Sequence, residues 1–313
     1  MQQPLVSVII PNYNYARFLP QRINSVLSQT YREIELIILD DCSTDGSRDI
    51  IDSYRNEERV KHVVFNGQNN GSTFRQWNKG FGLAAGNFIW VAECDDYAEP
   101  DFLEKIMAVM CRDEDIKIGF SNSYWETPDG TFINKDYTIK ERLKVYDGRS
   151  FVRRHLLKEN FIYNASMAVF RRDALPWVDA EAYQFRSCGD KLFWSSIAET
   201  GKVAFVCEPL NHFRIHAGKV TSGSLADGTL FREEHLFFLK NIQKRYITWR
   251  NRWEVVSYFV RYVRRSRNLF LSDAVYEDCL CLWENEKDYR NAALPFGYRV
   301  ICFMVGIILK EDW

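Results

Sequence analysis

The chain has 313 residues, 46% of them hydrophobic and 15% aromatic, with a formal net charge of −1. That length holds one large domain, or one domain with a helical appendage, and the near-zero charge excludes a globally basic nucleic-acid binder. The eight cysteines include no Cys-x-x-Cys pair and no zinc-finger spacing, so reduced thiols and a cytoplasmic setting are expected. Residues 1–4 lack the regions of a signal peptide, and the longest apolar run, 300–309, is too short to span a bilayer.

In chain order, residues 5–10 are a β-branched run that predicts a buried strand stopping at Pro11. The polar and aromatic loop Asn12-Tyr13-Asn14-Tyr15 follows. Phe18, Ile23, Val26 and Leu27 then recur at helical spacing. Residues 34–39 predict a second strand, ending abruptly at Asp40-Asp41. Residues 43–47 offer helix caps for a helix to about Tyr54. Residues 60–65 predict a third strand, and the turn 69–72 opens a helix to about Ala85. Residues 87–92 predict a fourth strand, which also ends on acids, Glu93-Cys94-Asp95-Asp96. Beyond residue 116 come strands at 118–121 and 165–170, a hairpin around Pro128-Asp129-Gly130, a helix over 190–200, and short strands at 203–207 and 211–215. From about Gly228 the pattern is helical. The expected organisation is an α/β domain over 1–225 and a helical region over 226–313.

Alternating strands and helices predict a mainly parallel sheet covered on both faces. Such sheets bind ligands beyond the carboxyl ends of their strands. A single Asp after a strand is usually a helix cap. Two strands each ending in consecutive acids point further, because paired carboxylates repel unless a cation or hydrogen-bond donors hold them. No Gly-x-Gly-x-x-Gly follows the first strand and no Walker A sequence occurs. A diphosphate ligand would then need Mg²⁺ or Mn²⁺ held by carboxylates.

Several stretches, in order, resemble the family 2 glycosyltransferases, which have the GT-A fold. Val6-Ser7-Val8-Ile9-Ile10-Pro11-Asn12-Tyr13-Asn14 matches the opening strand, and residues 25–31 the next helix. Residues 35–47 match the second strand and acidic turn. Asn70-Gly71-Ser72, Ala85-Gly86 and the run into Asp95-Asp96 match the approach to the metal motif, with Pro100-Asp101 beyond it. The resemblance covers about 5–217 and is densest over 5–101. It implies an inverting transferase that moves a sugar from a nucleotide-diphosphate donor, a UDP-sugar, to an acceptor hydroxyl with Mn²⁺ or Mg²⁺. The acceptor expected is a bacterial surface polysaccharide or its lipid-linked precursor.

The resemblance places Pro11, Tyr13 and Asp41 in the nucleotide pocket. Tyr13 can stack on a base, and Asp41 can accept a base imide N–H, which favours uracil or thymine over cytosine. Asp40 is a structural or ribose contact, and Arg75 either offsets phosphate charge or is a surface arginine. Glu93 stands where the family has Asp, so metal and ribose roles are both open to it. Asp95 is the expected metal ligand. Asp96 contacts sugar, supports the loop, or caps the next helix. Asp190, in the segment 188–194, matches the catalytic base, although Gly189 replaces a frequent Glu. His216, in the segment 211–216, completes the metal shell or meets the diphosphate, and Arg214 faces phosphate. Trp194 is either core or an acceptor platform. The basic, aromatic stretches 244–253 and 261–267, with the apolar run 296–309, suit either a helical bundle or peripheral contact at the inner face of a membrane. The other classes considered are a metal-dependent nucleotidyltransferase and an inactive nucleotide-sugar-binding protein.

Overall fold

In the computed structural model, residues 3–130, 132–134, 142–216 and 220–287 are described. The chain forms two units, Met1–Gly223 and a second from Ser224. In the first, strand β1 (Val6–Asn12) is followed by helix α1 (Leu19–Leu27), β2 (Ile34–Asp40), α2 (Ser47–Ser53), β3 (Val60–Phe65), α3 (Thr73–Leu83) and β4 (Phe88–Val91). Then come β5 (Tyr97–Ala98), α4 (Phe102–Met110), β6 (Ile116–Glu126), β7 (Phe132–Asn134), β8 (Leu143–Asp147) and α5 (Gly148–Phe151). The unit closes with β9 (Ala168–Arg171), α6 (Gly189–Ala198) and β10 (Lys202–Arg214), and α7 (Val220–Ala226) leads out of it.

The sheet order is β3-β2-β1-β4-β9-β6-β10-β5, with β7 on β6 and β8 on β10. β3, β2, β1 and β4 are parallel, as the alternating pattern predicts. All residues of β1 and β2 are buried, as strands covered on both faces must be. Val6, Val8, Ile10, Leu36 and Ile38 pack with Leu19 and Ile23 of α1 and Phe102 and Ile106 of α4. Ile9 points the other way, against α3. A Cβ on Gly80 would come within 2.6 Å of the Ile9 side chain, so glycine lets α3 lie close on the sheet.

Three local expectations change. β1 runs through Pro11 instead of stopping there. Ala92 N bonds Ile9 O, and Asp41 N bonds Asn12 O, so the missing Pro11 N–H faces the β4 side just where β4 ends. Residues 165–167 form a 3-10 turn, and the strand begins only at Ala168. The two short strands at 203–207 and 211–215 are one strand, β10, whose register on β6 shifts on either side of Pro209. That proline interrupts the alternation without ending the pairing.

The second unit contains α8 (Thr229–Gln243), α9 (Arg252–Arg265) and α10 (Asp273–Asn285). Trp283 stacks on Phe259 at 4.2 Å and meets Phe238, which joins the three helices. Among the described residues no helix is long and apolar enough to cross a membrane. The apolar run 296–309 lies outside the described residues.

Candidate active site

Sheet direction decides which side chains meet. β1, β2 and β4 are parallel, so the loops after them open at one edge. β9 is antiparallel to both β4 and β6, and β10 is parallel to β6. The start of β9 and the end of β10 therefore reach that same edge. β5, directly after the acidic turn, pairs antiparallel with Asn211 and His212 of β10 and carries the turn to the end of that strand.

The loops after β1 and β2 are bound together. Asn12 Nδ2 donates to Asp40 Oδ1 at 2.8 Å and to Ser43 Oγ at 3.1 Å. Thr44 N donates to Asn14 Oδ1 at 2.8 Å, and Ala16 N to Asp45 Oδ2 at 2.9 Å. Asn14 has φ +57°, which asparagine tolerates better than most residues. Tyr13, between these anchors, is 45% exposed, while Pro11 is buried at the strand end beneath it.

Asp40 is wholly buried and also accepts from Ser43 N and Arg48 Nε. It anchors the turn, which is the structural of its two expected roles, and no face of it meets solvent. Asp41 Oδ1 accepts from Asn66 Nδ2 at 2.6 Å and Gln76 Nε2 at 2.7 Å, while Oδ2 accepts from Asn70 N at 2.9 Å. A carboxylate oxygen has two lone pairs, so Oδ2 keeps acceptor capacity. Arg75 is exposed, and its Nη1 donates to Asn70 O at 3.2 Å. It braces the turn that holds Asp41 from an exposed position, as the surface-arginine alternative has it.

The acidic turn is fastened on every side. Asp96 is wholly buried and accepts from Asn164 Nδ2, from Ser166 Oγ at 2.9 Å and from Arg214 N at 3.2 Å. It ties the turn to the approach to β9 and to β10, and α4 starts only at Phe102 with Asp101 in the cap position, so Asp96 does not cap it. Arg214 donates to Asp95 O at 3.0 Å and to Gln21, and pairs with Glu126 at 3.2 Å. It is a clamp on the turn, not the phosphate-facing cation expected. Glu93 N donates to Ser166 Oγ, and Glu93 Oε1 accepts from Trp77 Nε1 at 2.7 Å. Burial, with Asp95 beside it, pushes the Glu93 carboxyl up to about 8. Without a cation on Asp95, its neutral form is favoured relative to an ordinary glutamate.

Asp95 Oδ2 lies 2.9 Å from His216 Nε2, across 121 positions of sequence. The His216 ring packs edge-on to Tyr15 and against Phe18. His212, one turn of the strand pattern away, instead bonds Glu99 at 2.7 Å and stacks on Tyr97. A carboxylate oxygen beside an imidazole nitrogen is a mixed donor pair that suits Mn²⁺, and two protein donors leave positions for phosphate oxygens. Among the described residues no group of three such donors converges.

Asp190 opens α6, and Asn160 Nδ2 donates to its Oδ2 at 2.7 Å. Ser72 at the head of α3 donates to Phe185 O at 3.0 Å, which brings the start of α6 to the same sheet edge. One turn after Asp190, Phe193 packs on Trp77, the residue that holds Glu93. A Cβ on Gly189 would lie 2.3 Å from Ala182 O and 2.8 Å from the Phe74 ring, so this position has no room for Glu. Trp194 is wholly buried and is core.

Sequence reading missed Trp77, Asn160, Asn164, Ser166 and Arg22. Arg22 had a signal: Leu19, Arg22, Ile23 and Val26 form one buried helical stripe with a charge in it. Its Nε donates to Glu93 O at 2.8 Å.

The family model described as "Glycosyl transferase family 2" matches residues 7–176. An uncharacterized glycosyltransferase of Nostoc sp. is 30% identical over 214 residues, 67% of this chain and 65% of that protein's length. The putative teichuronic acid biosynthesis glycosyltransferase TuaG of Bacillus subtilis is 30% identical over 244 residues, 76% of this chain and 92% of TuaG. Among solved structures, S. aureus TarS 1–349 in complex with UDP-GlcNAc shares the fold, with a TM-score of 0.57 and 17% identity over 91% of each chain. The chain belongs to glycosyl transferase family 2 and is a glycosyltransferase with the GT-A architecture.

Proposed function

We propose that the protein transfers a sugar from a nucleoside diphosphate donor to an acceptor hydroxyl with inversion at the anomeric carbon. The observation that carries this reading is the Asp95–His216 pair at the strand-end crevice, beside the exposed Tyr13. Tyr13 stacks on the base, and the open acceptor capacity of Asp41 Oδ2 meets an imide N–H, which makes uridine the expected nucleoside. The UDP-GlcNAc complex of TarS supports that choice. Glu93, held by Trp77, contacts the ribose.

Asp95 and His216 would hold Mn²⁺ or Mg²⁺. When bound, the cation neutralises charge on the departing diphosphate. Asp190, oriented by Asn160, takes the proton of the acceptor hydroxyl. The oxygen attacks the anomeric carbon from the face opposite the nucleotide. The bond from that carbon to phosphate breaks, and the nucleoside diphosphate leaves with both electrons. The acceptor is a bacterial surface polysaccharide or its lipid-linked precursor, a reading supported by the likeness to TuaG.

The test is nucleoside diphosphate release from a panel of donors, with and without Mn²⁺. Transfer from a UDP-sugar that stops with EDTA is expected. Pyrophosphate release instead, or no turnover with any donor, would sink the reading. A base of this kind contributes about 10²–10⁴-fold, so Asp190→Asn should lower kcat by that factor and leave donor affinity in place.

A further inference from the structure

The segment 244–267 carries eight Lys or Arg residues and one acid, Glu254, in a chain whose net charge is −1. Part of this charge is consumed inside the helical unit, where Arg252 pairs with Glu286 and Arg264 with Glu284. Arg245, Arg250, Arg261 and Arg265 are exposed and form no ion pair among the described residues. α9 orders part of this set. Val255, Val256, Phe259, Val260 and Val263 are its buried face. Arg261 and Arg265, four residues apart, are neighbours on its outward side, and Trp253 is exposed in its first turn.

Apolar side chains accompany the charge. Trp249 and Trp253, at the entrance to α9, are 52% and 42% exposed, and Leu269 and Leu271, after its last turn, are 60% and 75% exposed. Arg250 lies over the Trp249 ring at 5.2 Å. Arginines beside exposed indoles suit the headgroup layer of a membrane, where the rings enter the interface and the cations meet phosphate. A single-stranded nucleic acid would also use arginine and aromatic rings, but it stacks on π-faces. Leu269 and Leu271 have none, while acyl chains accept them. The apolar run 300–309 follows later in the sequence.

We propose that this surface of the helical unit docks on a bilayer containing anionic phospholipid, as a peripheral contact. This does not rest on the transfer reaction. The test is flotation of the full chain with vesicles of phosphatidylcholine alone, or with about one third phosphatidylglycerol. Binding is expected only with the anionic vesicles. It should fall at least about tenfold in ~0.5 M NaCl, where the Debye length is a few ångströms. Arg261→Glu/Arg265→Glu should abolish flotation, and Trp249→Ser/Trp253→Ser should weaken it, both melting at the wild-type temperature because the changed side chains are exposed. Failure to float with anionic vesicles overturns the proposal. So does equal binding to neutral vesicles, wild-type flotation of well-folded variants, or salt-sensitive binding to nucleic acid in place of vesicles.

Discussion

At the scale of single residues, the acidic turn is an electrostatic problem that Arg22 helps to solve. Arg22 is wholly buried, and its Nη1 and Nη2 have no hydrogen-bond partner among the described residues. Burial pulls its guanidinium down to about 10, and Asp96, Cys94, Asp95 and Glu93 push the other way, so it stays charged at neutral pH. It is the counter-charge beneath the turn. Removing one member of a buried charge set costs about 3–5 kcal/mol, and Arg22→Met should lose that much in urea unfolding. A gain in stability would mean that burying the guanidinium costs more than its charge returns. Glu93 gives a second prediction. Its carboxyl, ordinarily near 4.5, sits near 8 in the folded protein. The stability it contributes is complete below 4.5 and is lost as pH rises through 8. Metal-free protein should therefore melt progressively lower across that window, and Glu93→Gln, which keeps an acceptor for Trp77, should flatten the trend.

At the scale of elements, α3 and α6 meet through Phe74, Trp77, Phe81 and Phe193, and this contact places Asp190. Truncating a buried aromatic costs about 3–5 kcal/mol. Phe193→Ala should lose that in stability and also depress transfer, since Trp77 then loses its packing beside Glu93. Gly189→Ala should cost about 1–3 kcal/mol by overpacking against Ala182 O and lower kcat more than donor affinity, which steady-state kinetics would separate. The parallel half of the sheet was legible in the sequence because β-branched runs and helical spacing are local signals. The ends of those runs, Tyr13, Asp41 and Glu93 to Asp96, were legible for the same reason. Asn164, Ser166 and Asn160 were not: single polar residues in irregular segments have no period, and only the sheet topology brings them to the acids. Arg214 was misread because a cation on a strand near acids looks alike whether it faces a ligand or a carbonyl. Asp40 and Asp41 are neighbours in sequence and both buried, and only their partners differ: Asp40 holds Asn12, Ser43 and Arg48, and Asp41 the turn at Asn66 and Asn70.

At the scale of the whole molecule, the crevice gathers groups that no single element holds. A ligand that bridges them should therefore stabilise the catalytic unit as a body. A ligand at about one hundred times its Kd adds about 2.7 kcal/mol. UDP with Mn²⁺ should raise the melting temperature, and UDP with EDTA, or CDP with Mn²⁺, should raise it much less. Equal shifts from CDP would remove Asp41 from base selection. Asp95→Ala should erase the metal-dependent part alone.

The clamp from β10 has a consequence for biosynthesis. Arg214 grips Gln21 and the Asp95 carbonyl, and His216 meets Asp95, so the turn is closed by residues made more than one hundred positions later. A nascent chain emerges from its N-terminus and can form the first four parallel strands before β10 exists. Until β10 arrives, the carboxylates of that turn lack their lock, and pairings at such long range form slowly. Released chains truncated before residue 202 should be cut by protease within 92–100, and the full chain should resist. The closing of that turn by β10 thus follows the building of the parallel frame.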